Sequence, residues 1–367
     1  MSIPTRVVAA VRPQASPGVL AGAAVVAAVF AGTPLLLPTV SAELDVPIGL
    51  TGLLSTAQVG SFAMAAFLAG RLFHPRRRLH YGGLGLVMVT SVASALSTDF
   101  AVLAITRLLA GLGLGTLTWI AWADATRFTR GLGDVAAVAP VTAAIASPVI
   151  GWLIQQGGYR WAYFSFAVLA MAALFIRVDF GDLPRIGRNV SKSRSNRLLL
   201  AGLGLVSVGG SAVFIFSGAI AGEVQSLSPV VLAWALSLNA ISGVIATRLR
   251  AGRGHAGLWL LGTMISALAV GTIANQVVFF AVMALWGFAF WMAIPAVFRL
   301  LAERSLTPSE RVGDAQAVMA VGRVVGPVVG GIALGAGQFT RLSIAGALIM
   351  GLAALTVTTV EVLRRRI

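Results

Sequence analysis

The stretch that decides the fold is SPVIG at residues 147–151, and a similar motif, GPVVGG, recurs at residues 326–331. Pro148 and Pro327 stand 179 residues apart in a chain of 367, and each lies in an apolar stretch that follows a charged loop. Two similar halves in one apolar chain are typical of secondary transporters, whose halves rock about a central site. The repeat therefore predicts a duplicated membrane protein.

The composition excludes an ordinary soluble domain. Hydrophobic residues make up 58% of the chain and charged residues only 11%, with a mean hydropathy of +0.92. A soluble domain has roughly 25% charged residues. The chain has no cysteine, which excludes disulfides and thiolate metal sites. Its three histidines, His74, His80 and His255, lie in basic loops, so we expect neither a metal site nor a cofactor.

Apolar segments of membrane-spanning length recur along the whole chain. The hydrocarbon core of a bilayer is ~30 Å thick and needs about 20 apolar residues per helix. The sequence predicts an all-α membrane protein with 12 spans in two pseudo-symmetric six-helix bundles. The predicted spans are 18–40, 48–70, 81–98, 100–122, 135–156, 161–178, 198–221, 229–247, 256–274, 276–300, 315–336 and 341–362.

One long polar connection divides the chain. The stretch Arg177–Arg197 is rich in serine and basic residues and also holds Pro184 and Gly187. We expect an N-terminal bundle at 1–180, a cytoplasmic linker at 181–197 and a C-terminal bundle at 198–367. The first apolar segment lacks a small-residue cleavage pattern, so it is interpreted as a retained helix rather than a signal peptide.

The positions of the basic residues set the predicted orientation. With both termini in the cytoplasm, the cytoplasmic segments hold 23 of the 27 Lys and Arg residues. The outward loops hold only Arg160 and Arg341, while Arg107 and Arg323 fall inside spans. This asymmetry is the positive-inside pattern. The net charge of +15 is therefore interpreted as an orientation signal matched to anionic membrane lipids, with no nucleic-acid partner.

Several short motifs resemble those of the major facilitator superfamily, and the likeness covers nearly the whole chain. The loop after the second span reads GRLFHPRRR at 70–78, and 243–253 holds a weaker copy after the eighth. The fourth span carries RLLAGLGLG at 107–115, similar to the arginine–glycine motif of proton-linked members. SPVIG at 147–151 and GYRW at 158–161 resemble an antiporter motif. The likeness is to the bacterial drug and metabolite:proton antiporter branch.

The resemblance also implies gating or coupling residues, with two departures. The acid that the family carries in these loops is replaced by His74 and by Thr247, so the contact that closes the inner side must differ here. Asp124 matches a family acid at the end of the fourth span and is expected to pair with Arg71 or Arg77. The candidate gating or coupling residues are Arg71, Arg78, Asp124, Pro148, Gly151, Glu223 and Pro327.

Two arginines lie where lipid would not tolerate them. Arg107 and Arg323 each stand about eight residues inside a span, or near 12 Å deep at ~1.5 Å per residue. A lipid-facing arginine at the bilayer centre costs at least ~2.5–3.5 kcal/mol. Both should therefore face the interior or a watery cavity, although helix carbonyls at a packing interface could also satisfy them. The candidate cavity residues are Thr33, Gln58, Arg107, Trp119, Ser211, Asn239, Trp286, Trp291 and Arg323.

Three functions remain open at this point. The resemblance implies proton-coupled export of a small organic molecule. The short loops favour a monomer, and the composition, rich in alanine, glycine and arginine, favours a bacterial inner membrane. No acid lies near the middle of a span, so a cavity with two arginines favours anions or neutral molecules, and uptake or facilitated transport of such a nutrient is the alternative. A non-transporting sensor or scaffold on the same fold is the third. An enzyme is not expected, since no nucleophile–base pair, metal cluster or phosphate-binding loop is present.

Overall fold

The computed structural model describes residues 15–125, 131–179, 194–249, 255–303, 308–335 and 338–365. All regular structure in these ranges is helical. The helices are α1 Pro17–Glu43, α2 Ile48–Leu72, α3 Arg77–Leu96, α4 Phe100–Ala125, α5 Gly131–Leu174, α6 Arg194–Phe214, α7 Ser217–Glu223, α8 Pro229–Arg248, α9 Ala256–Thr272, α10 Gln276–Glu303, α11 Pro308–Leu334 and α12 Phe339–Arg365.

Most of these helices have the length and composition of membrane spans. Ten stretches in the described part of the chain are long and apolar enough to cross a bilayer, and α9 is a shorter apolar helix of 17 residues. Large apolar side chains project outward, among them Val277, which is 78% exposed, and Ile332, which is 77% exposed. An apolar surface of this kind suits lipid rather than water. The chain is therefore a multi-pass membrane protein.

The longest helix contains a break. At ~1.5 Å per residue, the 44 residues of α5 would extend about 66 Å, far beyond the ~30 Å core of a bilayer. Gly157 and Gly158 leave helical geometry, and Gly158 has φ +64°, a region that favours glycine. The Tyr159 amide beyond the break donates to Glu43 Oε1 over 3.1 Å. The break falls between the predicted spans 135–156 and 161–178.

The predicted span 198–221 is also interrupted. The structure places α6 before Ile215 and Phe216 and the seven-residue α7 after them. The Phe216 amide donates to the Val213 carbonyl over 3.1 Å, the spacing of a tighter turn, and the Phe216 ring is fully buried. The next helix, α8, begins with Pro229 after Ser228, whose hydroxyl accepts from the Val231 amide over 3.4 Å.

The same pattern of helix pairs occurs twice. In the first half α2 packs on α4, α3 on α4, and α1 on α5. In the second half α8 packs on α10, α9 on α10, and α6 on α11. The halves meet through α5 with α8 and α2 with α11, which we call the first and second seam. The domain boundaries at 180/181 and 197/198 stay predictions, because 180–193 lie outside the described residues.

Candidate functional site

Arg107 is the largest fully buried polar side chain among the described residues and organises the first half. Its side chain is 2% exposed on the face of α4 that meets α3 and α5. Nη2 donates to the Thr90 carbonyl over 3.1 Å and to Ser94 Oγ over 2.5 Å. The guanidinium carbon lies 4.4 Å from the centre of the Tyr163 ring, a cation–π distance. The interior position predicted for Arg107 thus agrees with the structure.

Hydroxyl groups on α3 and α5 support this arrangement. Ser94 Oγ lies 2.7 Å from Thr106 Oγ1 and also donates to the Thr90 carbonyl over 2.8 Å. The Tyr159 hydroxyl donates to the Ser97 carbonyl over 2.5 Å. Sequence reasoning missed Thr90, Ser94 and Tyr163. The spacing of Thr90, Ser94 and Ser97 at i, i+4 and i+7 in an apolar span is the signal that could have found the α3 stripe.

A narrow pocket lies beside the guanidinium group. Its polar lining consists of Arg107, Tyr163, Thr33, Ser55 and Gln58, and apolar residues of α1 and α2 complete it. Within the part of the chain that the structure describes, Arg107 Nε and Nη1 are buried and have no hydrogen-bond partner. Two of the predicted cavity residues, Thr33 and Gln58, therefore share one pocket with Arg107.

Arg323 has a different environment. Its side chain is exposed, whereas Gly322 and Gly326 on the same helix pack against α6. The exposed apolar face of α11 carries Val325 and Ile332, which are 41% and 77% exposed. At 100° per residue, Arg323 lies on the side of α11 opposite that face. It therefore points into the space between the halves.

The other predicted polar residues take part in helix packing. Ser211 Oγ donates to the Gly322 carbonyl over 3.3 Å, from α6 to α11. Asn239 Nδ2 donates to the Met283 carbonyl over 2.8 Å, from α8 to α10. Both side chains satisfy backbone carbonyls within the second half.

The three predicted cavity tryptophans are held by neighbouring helices. Trp286 is 4% exposed, and its ring centre lies 5.6 Å from that of Phe214. Trp291 packs against Gly243 of α8, and Trp119 lies against Gly70 of α2. None of the three lines the pocket beside Arg107.

The first seam is built around Pro148. A proline has no amide hydrogen, so the carbonyl four residues earlier, that of Ala144, loses its partner within the helix. Ser237 Oγ on α8 donates to this carbonyl over 2.6 Å, and Ser237 is 2% exposed. One turn farther along, a Cβ atom on Gly151 would lie 2.9 Å from the Pro229 carbonyl oxygen. In this motif the proline frees the Ala144 carbonyl for Ser237, and the glycine lets α5 lie close to α8.

The second seam has a similar position with different contacts. Thr56 Oγ1 on α2 donates to the Val324 carbonyl on α11 over 3.3 Å. A Cβ atom on Gly52 would lie 3.0 Å from the Pro327 carbonyl oxygen, and one on Gly49 would lie 2.9 Å from that of Gly331. Backbone approaches backbone along this seam.

A model of the Major Facilitator Superfamily matches residues 19–331. The chain belongs to the Major Facilitator Superfamily. The superfamily fold fits the repeated helix pairs and the two seams.

Relatives with curated names agree with this assignment. A chloramphenicol efflux pump of Mycobacterium tuberculosis (strain ATCC 25618 / H37Rv) is 25% identical over 332 residues, which cover 81% of this chain and 80% of that protein. An uncharacterized MFS-type transporter of the same strain is 31% identical over 153 residues, which are 37% of this chain. The match spans only 22% of that longer relative.

Solved structures of superfamily members share the fold. A bacterial homolog to the human lysosomal transporter Spinster, in an inward-facing and occupied conformation, gives a TM-score of 0.71 at 13% identity, covering 94% of this chain and 95% of that one. The human organic anion transporter MFSD10 gives a TM-score of 0.66 at 16% identity, covering 93% and 97%.

Three of the predicted gating residues of this superfamily member, Arg71, Arg78 and Asp124, lie at one end of the bundle. Arg71 lies 3.8 Å from the ring centre of Phe67, and Arg78 is exposed. Arg77 pairs with Asp179 over 2.8 Å, instead of with Asp124. The buried Asp124 accepts from the Ser16 amide over 3.5 Å, at the start of α1.

At the other end of the bundle, Glu223 is exposed where α7 ends. Glu43, which ends α1, accepts from Tyr159 and so joins α1 to the second part of α5. Sequence reasoning did not predict this contact.

Proposed function

We propose that this chain exports a small organic molecule across a bacterial inner membrane by alternating access, driven by proton exchange. The observation that carries the proposal is the pair of seams, each of which crosses between the halves beside a proline. Halves that rock about a central site must part and meet at such seams. The efflux pump among the relatives supports the direction of transport.

The proposed topology has twelve spans, with both termini in the cytoplasm. Ten stretches have full spanning length, α9 supplies an eleventh, and the break at Gly157 and Gly158 divides α5 into two. The distribution of basic residues supports the orientation. We further propose that the protein works as a monomer surrounded by membrane lipids.

Cross-linking of the second seam tests alternating access directly. The chain has no cysteine, so a pair can be introduced without removing a native thiol. A Cβ atom on Gly60 of α2 would lie 3.8 Å from Val324 Cγ1 of α11, so cysteines are placed at these two positions. We expect oxidation of the Gly60→Cys/Val324→Cys variant to stop flux in proteoliposomes, and a reductant to restore it.

The second half offers a matched control. A Cβ atom on Gly204 of α6 would lie 3.0 Å from Val318 Cγ1, again on α11 but within one half. The oxidised Gly204→Cys/Val318→Cys variant should keep its flux, since the halves remain free to rock. Unchanged flux in the cross-linked Gly60/Val324 variant would contradict alternating access at this seam.

Proton coupling is tested by an imposed pH gradient across proteoliposomes loaded with a candidate cargo, beginning with chloramphenicol. A proton that crosses 100 mV releases ~2.3 kcal/mol, enough to drive accumulation. We expect the cargo to move faster when protons flow in the opposite direction down an imposed gradient than when no gradient is imposed. Flux that is indifferent to the gradient, at any polarity, would contradict proton exchange.

A second candidate is uptake or facilitated movement of a small organic anion. The observation that favours it is Arg107, whose described partners are a carbonyl, a hydroxyl and a ring and include no carboxylate. Gradient-independent flux of an organic anion would select this candidate over proton-driven export.

A further inference from the structure

We infer that the pocket beside Arg107 binds one anionic group. Two sources have this chemistry: the acid group of a transported molecule, in which case the inference rests on the proposed transport function, or a free inorganic anion such as chloride. The starting observation is that Nε and Nη1 of a side chain only 2% exposed have no hydrogen-bond partner in the described structure.

The charge of Arg107 has no described counter-charge. Its contacts are the Thr90 carbonyl, the Ser94 hydroxyl and the Tyr163 ring, and each is a dipole or a quadrupole. Burying an ionised group is very unfavourable unless it is paired with an opposite charge. An anion in the pocket would supply that charge and engage the two free donor nitrogens.

The remaining lining suits an anion better than a cation. Ser55 and Gln58 each carry a hydrogen-bond donor, the Thr33 hydroxyl donates to the Val29 carbonyl over 3.4 Å, and the lining contains no carboxylate. Val29, Leu36, Leu37 and Leu54 form the apolar wall. The lining therefore offers one donor-rich end beside an apolar wall, while a cation would meet the guanidinium group directly.

The pocket also lies next to contacts between the halves. Ser55 precedes Thr56, which donates to the Val324 carbonyl of the second seam. Thr33 precedes Pro34, whose carbonyl oxygen lies close to Gly218 of α7. An anion held by Arg107 would thus contact α1 and α2 one residue away from two inter-half contacts.

Thermal unfolding of the purified full-length protein tests the inference without requiring transport. Sodium chloride is titrated against sodium isethionate, whose sulfonate is neither chloride nor a carboxylate, at constant ionic strength, and a second series replaces chloride with acetate or benzoate. We expect the midpoint temperature of the wild type to rise with anion concentration, because the anion binds the folded state. Arg107→Gln should raise the apparent dissociation constant roughly 10- to 100-fold, since a charged hydrogen-bond partner is lost.

The matched control is Arg160→Gln. Arg160 is also an arginine near a tyrosine, 5.9 Å from the Tyr159 ring, but it is exposed. It should respond to anions as the wild type does. If Arg107→Gln does not fold, Arg107→Lys and Gln58→Leu replace it, and each should weaken the anion response.

The outcomes separate the two sources and the two proposals. A response to chloride alone identifies an inorganic ion, and a response to carboxylates alone identifies the acid group of a cargo. The absence of any response in the wild type, or an equal response in every Arg107 and Gln58 variant, would overturn the inference. Flux in the cross-linking assay would then still support the transport function, so the two failures can be told apart.

Discussion

The two seams occupy equivalent positions but are closed by different interactions. In the first, the Ser237 hydroxyl takes over the Ala144 carbonyl that Pro148 leaves free, at 2.6 Å. In the second, Thr56 donates over 3.3 Å to Val324, one residue beyond the carbonyl that Pro327 frees. Glycine backbones then bring α2 and α11 together. The duplicated motif thus places a proline at both seams, while each seam is closed by contacts of its own.

The largest effect is expected where backbone meets backbone. Gly331→Val would place a side chain against the Gly49 carbonyl and force the second seam apart. Overpacking typically costs 1–3 kcal/mol, so we expect about that loss in the free energy of unfolding, with a lower yield of folded protein. Gly60→Ala on the same seam is the control, since its Cβ atom would meet only Val324 at 3.8 Å. Equal stability of the two variants would contradict close packing here.

Removal of the Ser237 hydroxyl should have the next largest effect. Ser237→Ala leaves the Ala144 carbonyl without its described partner, at a cost of about 1–3 kcal/mol. In a double-mutant cycle, Pro148→Ala restores an amide hydrogen at position 148, which can donate to the Ala144 carbonyl. The Ser237 substitution should then cost less. Additive effects in thermal unfolding would show that the hydroxyl does not serve the proline-freed carbonyl.

A smaller loss is expected in the second seam. Thr56→Val should cost about 0.5–1 kcal/mol, because the hydrogen bond is long and the shape of the side chain is kept. Pro327→Ala should not reduce this loss, since Val324 is not the carbonyl that the proline frees. A coupling as strong as that of Ser237 with Pro148 would make the seams equivalent and contradict the comparison.

The smallest effect sets the baseline. Arg77 and Asp179 form an ion pair whose side chains are 64% and 88% exposed, so Arg77→Gln should change stability by less than about 1 kcal/mol. The measurement is the same unfolding midpoint, at low and high salt. A larger loss would mean that a surface charge contact, rather than the seams, dominates the stability of the assembly.

Much of the architecture follows from apolar length and charge placement. The predicted spans overlap the described helices, and the expected gap between 156 and 161 contains the break at Gly157 and Gly158. The insertion cost of arginine predicts that Arg107 and Arg323 avoid lipid, and the structure buries Arg107 between helices of the first half. These features follow from the bilayer, which demands the same apolar length of every spanning helix and disfavours charge in each of them.

The composition of the site was harder to predict. The spans that carry the tryptophans predict a cavity position for them, and the structure adds contacts of Trp286 with Phe214 and of Trp291 with Gly243. Thr90 and Ser94 were overlooked because single hydroxyl residues are ordinary in apolar helices. Which face of α3 meets α4 depends on the rotation of both helices, and no short motif encodes that rotation. The ion pair of Arg77 with Asp179 likewise joins residues 102 positions apart.

The interruption at Ile215 and Phe216 has a mechanical consequence. The short helix α7 touches α1 through Gly218 and Pro34, while α6 lies against α11 and α12. Because the Phe216 amide donates to Val213, three residues back, a tighter turn joins the two helices in place of one continuous α-helix. One continuous helix would couple the position of α7 rigidly to that of α6. The interruption weakens this coupling between the contact with α1 and the contacts with α11 and α12.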